Sequence, residues 1–175
     1  MQKVTRFLLM ILIAATAFSF IGSNKEKINW ITVAQLNELY AKDPKPIVID
    51  VYTEWCGWCK EMDRTTYKNE KLVKYINEHY YAVRLDAESS DSLFFSNKKY
   101  GYSAKYKSNE LAEYLLFGRM EFPTTVFLPA IDARPAPLSG YLTPKEMEAP
   151  LKYFGVDAHK TQTFVEFNKS LKKEW

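Results

Sequence analysis

A nearly continuous apolar run, Ile47–Tyr52, followed three residues later by Cys56-Gly57-Trp58-Cys59, limits what this chain can fold into more than any other feature. The run is rich in β-branched residues and interrupted by one acid, Asp50, which is the profile of a central strand covered on both faces. A helix is predicted to begin within the cysteine motif and to run through Lys60, Met62 and Asp63. At such a helix start the unsatisfied N–H groups and the positive end of the dipole favour an anion at Cys56. Cys59, one turn on, shares its face. Cysteines in this setting have pKa values of roughly 3.5–7.5, against about 8.5 for a free thiol. Cys56 is therefore the candidate attacking sulfur and Cys59 the candidate resolving sulfur of a thiol–disulfide exchange.

Competing uses of two cysteines fit less well. Structural zinc needs two further ligands, and the chain offers only His79 and His159, at unusual spacing. Haem attachment needs a histidine where Lys60 stands. A bridge across so short a loop stabilises little, so the pair is not a structural staple.

The chain has 175 residues, about one domain by length, and 47% hydrophobic content supplies a core. Twelve Tyr, 11 Phe and 4 Trp indicate that large rings fill much of it. The formal net charge is +3 with both signs interspersed, which argues against the clustered basic face of nucleic-acid binding. Residues 1–23 stand apart. Lys3 and Arg6 precede an apolar stretch, Phe7–Ile21, broken only by Thr16 and Ser19. A membrane span needs about 20 apolar residues, so the segment reads as a secretory signal peptide. Cleavage after Ala15-Thr16-Ala17 or near Ser23 are the alternatives, and an uncleaved anchor is the rival reading. Either way the domain is expected outside the cytoplasm, in the periplasm or an equivalent space.

Beyond it, Ile28–Ile31 is a candidate first strand, and Thr32 with Gln35 forms a capping box for a helix carrying Val33, Leu36 and Leu39. Helical spacing recurs over Glu70–Glu78, and Tyr81–Asp86 reads as a strand. Residues 87–108 show no clear period and are read as a long excursion. Ser108 or Asn109 caps a following helix that Gly118 ends. Phe122–Leu128 is a strand with proline at its entry, Leu138–Tyr141 a short strand, and Thr143-Pro144 opens the last predicted helix. Residues 156–175 form a charged tail of unassigned structure. The alternation indicates an α/β layered domain with a mixed sheet.

Ile47–Lys60 resembles the active-site segment of the thioredoxin-like family, and Phe122-Pro123-Thr124 is similar to its cis-proline loop. Met62–Tyr67, Leu72-Val73, Val83 and Asp86 are closer to the exported members of the family and to the C-terminal domain of transmembrane thiol:disulfide interchange reductases. Asn97–Tyr100 and Phe122–Thr125 are shared with a group of exported bacterial thioredoxin-like proteins. The resemblance covers about Thr32–Phe154. It implies a thioredoxin fold over residues 24–155, a central mixed sheet flanked by helices, with residues 87–118 inserted before the cis-proline strand.

It also implies roles. Asp50 matches the buried acid that deprotonates the resolving cysteine, and Arg84 stands where thioredoxins place a lysine beside that acid. An arginine there favours the charged acid more persistently. Pro123, if cis, faces Cys56 and leaves the backbone of Phe122 free to pair with an extended substrate. Trp55, Gly57, Trp58 and Phe122 face the substrate, with Arg84 and Lys60 in support. Trp58 replaces a proline of thioredoxins and brings no positive charge, which points to a mid-range to reducing protein. The expected activity is reduction of disulfide-bonded protein substrates with no cofactor beyond the Cys56–Cys59 pair, no metal, and a membrane thiol-reductase as electron donor. A disulfide oxidase or isomerase, and a binding module including a copper carrier through soft thiolates, are the alternatives.

Overall fold

The computed structural model describes residues 25–175, so the segment read as a signal peptide lies outside the described residues. Strands β1 (Trp30–Ile31), β2 (Ile47–Tyr52) and β3 (Tyr81–Asp86) alternate with helices α1 (Val33–Tyr40), α2 (Gly57–Arg64) and α3 (Glu70–His79). Four short strands follow, β4 (Leu93–Phe95), β5 (Lys98–Tyr100), β6 (Tyr102–Ser103) and β7 (Ser108–Asn109), then α4 (Glu110–Leu115). The chain finishes with β8 (Thr124–Leu128), β9 (Ala136–Ser139), α5 (Pro144–Gly155) and α6 (Phe164–Ser170). No helix among the described residues is long and apolar enough to cross a membrane.

The main sheet has the order β1-β3-β2-β8-β9. β1, β3 and β2 run parallel, while β8 is antiparallel to β2 and to β9. β2 is thus central, and its residues up to Val51 are all buried, as a strand covered on both faces requires. Side chains alternate across the sheet. Ile47, Ile49 and Val51 join Leu36 of α1 and Leu111 and Leu115 of α4 in one core. Val48 faces the other way, with Met62 of α2, Leu72 and Ile76 of α3 and Met147 of α5. Burying each such aliphatic side chain is worth about 1.5–3 kcal/mol, so both layers hold β2 in place. Asp50 points to the same face of β2 as Val48 and is likewise buried.

Helix starts follow their caps. Thr32 with Gln35 and Thr143 with Glu146 close capping boxes, and Asn69 accepts from the Leu72 N–H. Two predicted strands begin elsewhere. β8 starts at Thr124, after the proline, and β9 spans Ala136–Ser139 rather than Leu138–Tyr141.

The excursion is more ordered than its sequence indicates. Ser96 and Asn97, both with φ near the left-handed region (47° and 61°), turn β4 into β5 as a two-residue hairpin, and β6 pairs with β7. Phe95 and Tyr100 are buried in the first core. Asn109 pins the unit: its Nδ2 donates to the Ser89 and Asp91 carbonyls and its Oδ1 accepts from the Leu111 N–H. Residues 156–175 also return to the domain. Thr163 and Glu166 cap α6. Buried Glu148 accepts from the N–H groups of Glu174 and Trp175 and from Lys152 Nζ at 2.8 Å. The Trp175 ring lies 5.5 Å from that of Tyr75.

Candidate active site

β2 ends at the surface, and Thr53–Trp55 carry the chain to Cys56, the N-cap of α2. The Cys56 N–H donates to the Thr53 carbonyl at 3.1 Å, which fixes the turn. Cys56 and Cys59 form a disulfide with Cα atoms 5.3 Å apart. The Cys59 N–H donates to Cys56 Sγ at 3.0 Å, so the sulfur takes the place that a capping oxygen has at other helices. A negative charge developing on Cys56 Sγ would meet this N–H and the dipole of α2. Both cysteines are nearly covered (4% and 3% exposed), whereas Trp55 and Trp58 are 66% and 64% exposed. The disulfide is therefore a small accessible point framed by two open indoles. Gly57 is exposed, and a Cβ added there would meet nothing within 4 Å.

Asp50 lies behind this motif, buried to 2% exposure. The register sets it between Arg84 on β3 and Thr125 on β8. Tyr67, from a 3-10 turn after α2, donates its hydroxyl to Asp50 Oδ1 at 3.2 Å. Arg84 Nε sits 3.2 Å from Asp50 Oδ2, but its N–H is not aligned for a hydrogen bond, so the contact is Coulombic. Arg84 Nη2 instead donates to Asp63 Oδ2 of α2 at 3.0 Å. The guanidinium is also held over the Tyr52 ring at 4.5 Å and the Trp30 ring at 5.6 Å. Burial pushes the Asp50 carboxyl up to about 6, against the lowering pull of Arg84. A cleft of about 160 Å³ lined by Tyr52, Thr53, Cys59, Lys60, Asp63 and Arg84 connects the second cysteine to this charge cluster.

The opposite wall is the loop entering β8. Its Phe122–Pro123 peptide is cis. Val51 pairs with Thr124, so Pro123 continues the strand at the end of β2 from which the cysteine loop departs. The Gly140 N–H donates to the Pro123 carbonyl at 2.8 Å, with Gly140 at φ 98°, a conformation that glycine supplies without strain. The Phe122 ring meets Trp55 edge-on at 6.0 Å, and Trp55 Nε1 donates to Glu88 at 3.0 Å. Trp58 leans on Tyr141, ring centroids 5.7 Å apart. The insertion contributes as well: Tyr106, Lys107 and Ser108 share a groove of about 210 Å³ with Trp55, Glu88, Met120 and Phe122.

The sequence-predicted residues thus fall into one region. Cys56, Cys59, Trp55, Gly57, Trp58 and Lys60 lie on one loop and helix, Asp50 and Arg84 on the strands behind, and Phe122 and Pro123 on the facing loop. His79 stacks on Tyr75, and His159 packs among Tyr153 and Phe154, both against aromatic rings. Sequence reasoning missed Asp63, Tyr67, Glu88 and Tyr141 as members of the site. Asp63 alone carried a legible signal, one helical turn beyond Cys59 on α2.

A sheet of this order, with a Cys-x-x-Cys disulfide opening the helix after its central strand and a cis-proline strand alongside, defines a thioredoxin fold. The family model described as a thioredoxin-like domain matches residues 34–155, and the chain belongs to that family. Among solved structures, a thioredoxin from Thermus thermophilus superposes with a TM-score of 0.54 at 14% identity, covering 78% of this chain and 98% of that one. A thioredoxin-fold protein from Helicobacter pylori gives 0.53 at 16% identity, covering 71% and 78%. In sequence, the chain is 33% identical over 45 residues to the thiol:disulfide interchange protein DsbD of Pectobacterium atrosepticum, 26% of this chain and 8% of that protein. It is 34% identical over 62 residues to an uncharacterized Caenorhabditis elegans protein, B0495.5, 35% of this chain and again 8% of the relative. The chain thus spans a small fraction of these relatives' length.

Proposed function

We propose that this protein is an exported thiol–disulfide oxidoreductase that reduces disulfides in other proteins. The observation that carries the reading is the Cys56–Cys59 disulfide at the first turn of α2 with a buried Asp50 behind it, its carboxyl pushed up to about 6 by burial. In the reduced protein the Cys56 thiolate attacks one sulfur of a substrate disulfide. A mixed disulfide forms, and the other substrate sulfur leaves as a thiolate that takes a proton from water. The Asp50 carboxylate accepts the Cys59 proton, a base whose pKa near 6 suits transfer close to neutral pH. The Cys59 thiolate then attacks Cys56 Sγ, the second substrate sulfur departs, and the Cys56–Cys59 disulfide closes. Two electrons have passed to the substrate, and a dithiol donor returns them.

Phe122, beside Trp55, would pair its backbone with an extended substrate segment, since among the described residues neither its N–H nor its C=O has a protein partner. The reducing direction is supported by the surroundings of Cys56 Sγ, where the Cys59 N–H is the one hydrogen-bond donor among the described residues. A thiolate so modestly stabilised gives up electrons more readily than that of a strong oxidant. The basic and apolar start of the chain supports export. The partial likeness to a thiol:disulfide interchange protein supports a membrane thiol-reductase as donor.

The test is a trapping experiment. Cys59→Ser should accumulate a mixed disulfide with a disulfide-bonded protein substrate, released by dithiothreitol, and Cys56→Ser should accumulate none. Equal trapping by both variants, or by neither, would reject the assignment of attacking and resolving sulfurs.

A further inference from the structure

Arg84 poses a problem for the base assigned to Asp50. A buried carboxylate facing a guanidinium ordinarily stays ionised and makes a poor proton acceptor. The contact geometry supplies a resolution. Of the two carboxylates within reach of Arg84, the half-buried partner Asp63 receives the aligned hydrogen bond at 3.0 Å, while fully buried Asp50 receives only the unaligned approach of Nε at 3.2 Å. Tyr52 and Trp30 sandwich the guanidinium and limit its rotation. We propose that Asp63 is a positioning residue that draws the Arg84 fork away from Asp50 and so keeps Asp50 able to take the Cys59 proton.

The groups around Asp50 are few. Arg84 approaches from β3, Asp63 from α2 and Tyr67 from the 3-10 turn, while Thr125 faces it from β8 and Tyr52 follows on its own strand. Burial holds the Tyr67 hydroxyl well above its ordinary range, so it stays neutral while Asp50 titrates. Lys60 lines the cleft on the Cys59 side, and Lys27 and Lys68 line a second cleft that also touches Asp63 and Arg84. The direct repulsion of Asp63 on Asp50 works in the same direction as the diversion of Arg84. Only a cycle through Arg84 separates the two.

The inference rests on the exchange chemistry above for its consequence, but its test does not. In the oxidised protein the cysteines cannot titrate, and the 13C shift of the Asp50 carboxyl reports its ionisation directly. Asp63→Ala, and Asp63→Asn as the isosteric check, should lower the Asp50 midpoint by about one pH unit, the low end of what an opposite charge produces. The drop should largely disappear in an Arg84→Met background. An unchanged midpoint in both Asp63 variants would overturn the proposal. So would an equal drop without Arg84, which would make Asp63 a through-space charge. In the reduced protein the acid limb of mixed-disulfide resolution should move to lower pH by the same amount; a limb that stays in place while the midpoint drops would separate Asp50 from the chemistry and reject its role as base.

Discussion

Asp50 costs the folded protein stability near neutral pH. Its carboxyl, pushed up to about 6 by burial, binds a proton more tightly folded than unfolded, where the ordinary value is 3.8. Its contribution to stability is therefore full below about pH 4 and is lost as pH rises through about 6. Asp50→Asn removes that loss. In urea unfolding of the oxidised protein, the variant should gain on the wild type by on the order of 3 kcal/mol between pH 4 and pH 8. A gain independent of pH would mean that folding does not raise the Asp50 carboxyl above its ordinary value. At this scale the cysteines were legible because motif spacing is local, and Asp50 because the family resemblance marks its position. Asp63 was legible only as a position one turn beyond Cys59, and Tyr67 was not, because which strand its side chain reaches is determined only once the turn after α2 packs on the sheet.

At the scale of elements, predictions held where a local signal was strong. β2 and β3 start and stop at the predicted residues, the capping box of α1 closes as read, and α5 opens at Pro144 as read. The insertion was opaque because its hairpin turn uses Ser96-Asn97 rather than a glycine pair, and its strands are only two or three residues long. Such short strands cannot hold themselves. Their order comes from buried Phe95 and Tyr100 and from Asn109, whose side chain makes three hydrogen bonds. Asn109→Ala removes a helix cap and leaves two carbonyls without their donor, which should cost about 2–4 kcal/mol. Hydrogen exchange should show the loss concentrated in β4–β7, and faster exchange spread evenly over the main sheet would contradict this anchoring role.

At the scale of the molecule, strand–helix alternation indicated an α/β layered domain with a mixed sheet, and the family resemblance narrowed this to a thioredoxin fold, whereas the strand order β1-β3-β2-β8-β9 is seen only in the structure. The return of residues 156–175 was not foreseen, since a charged, amphipathic stretch looks alike whether it is solvated or clasped by a buried acid such as Glu148. The sheet brings three separated segments to one end: the cysteine loop after β2, the loop entering β8 and the edge of the insertion. That convergence gives the disulfide an aromatic frame and a buried carboxyl at its back. The central claim, that electrons flow from this dithiol to protein disulfides, is tested most directly by the reduction potential of the Cys56–Cys59 pair. It can be measured by equilibrating the protein in dithiothreitol or glutathione buffers while following tryptophan fluorescence. A value near the thioredoxin figure of about −270 mV is the predicted result, whereas one near −120 mV, the scale of a strong oxidant, would reverse the direction of flow and contradict the account.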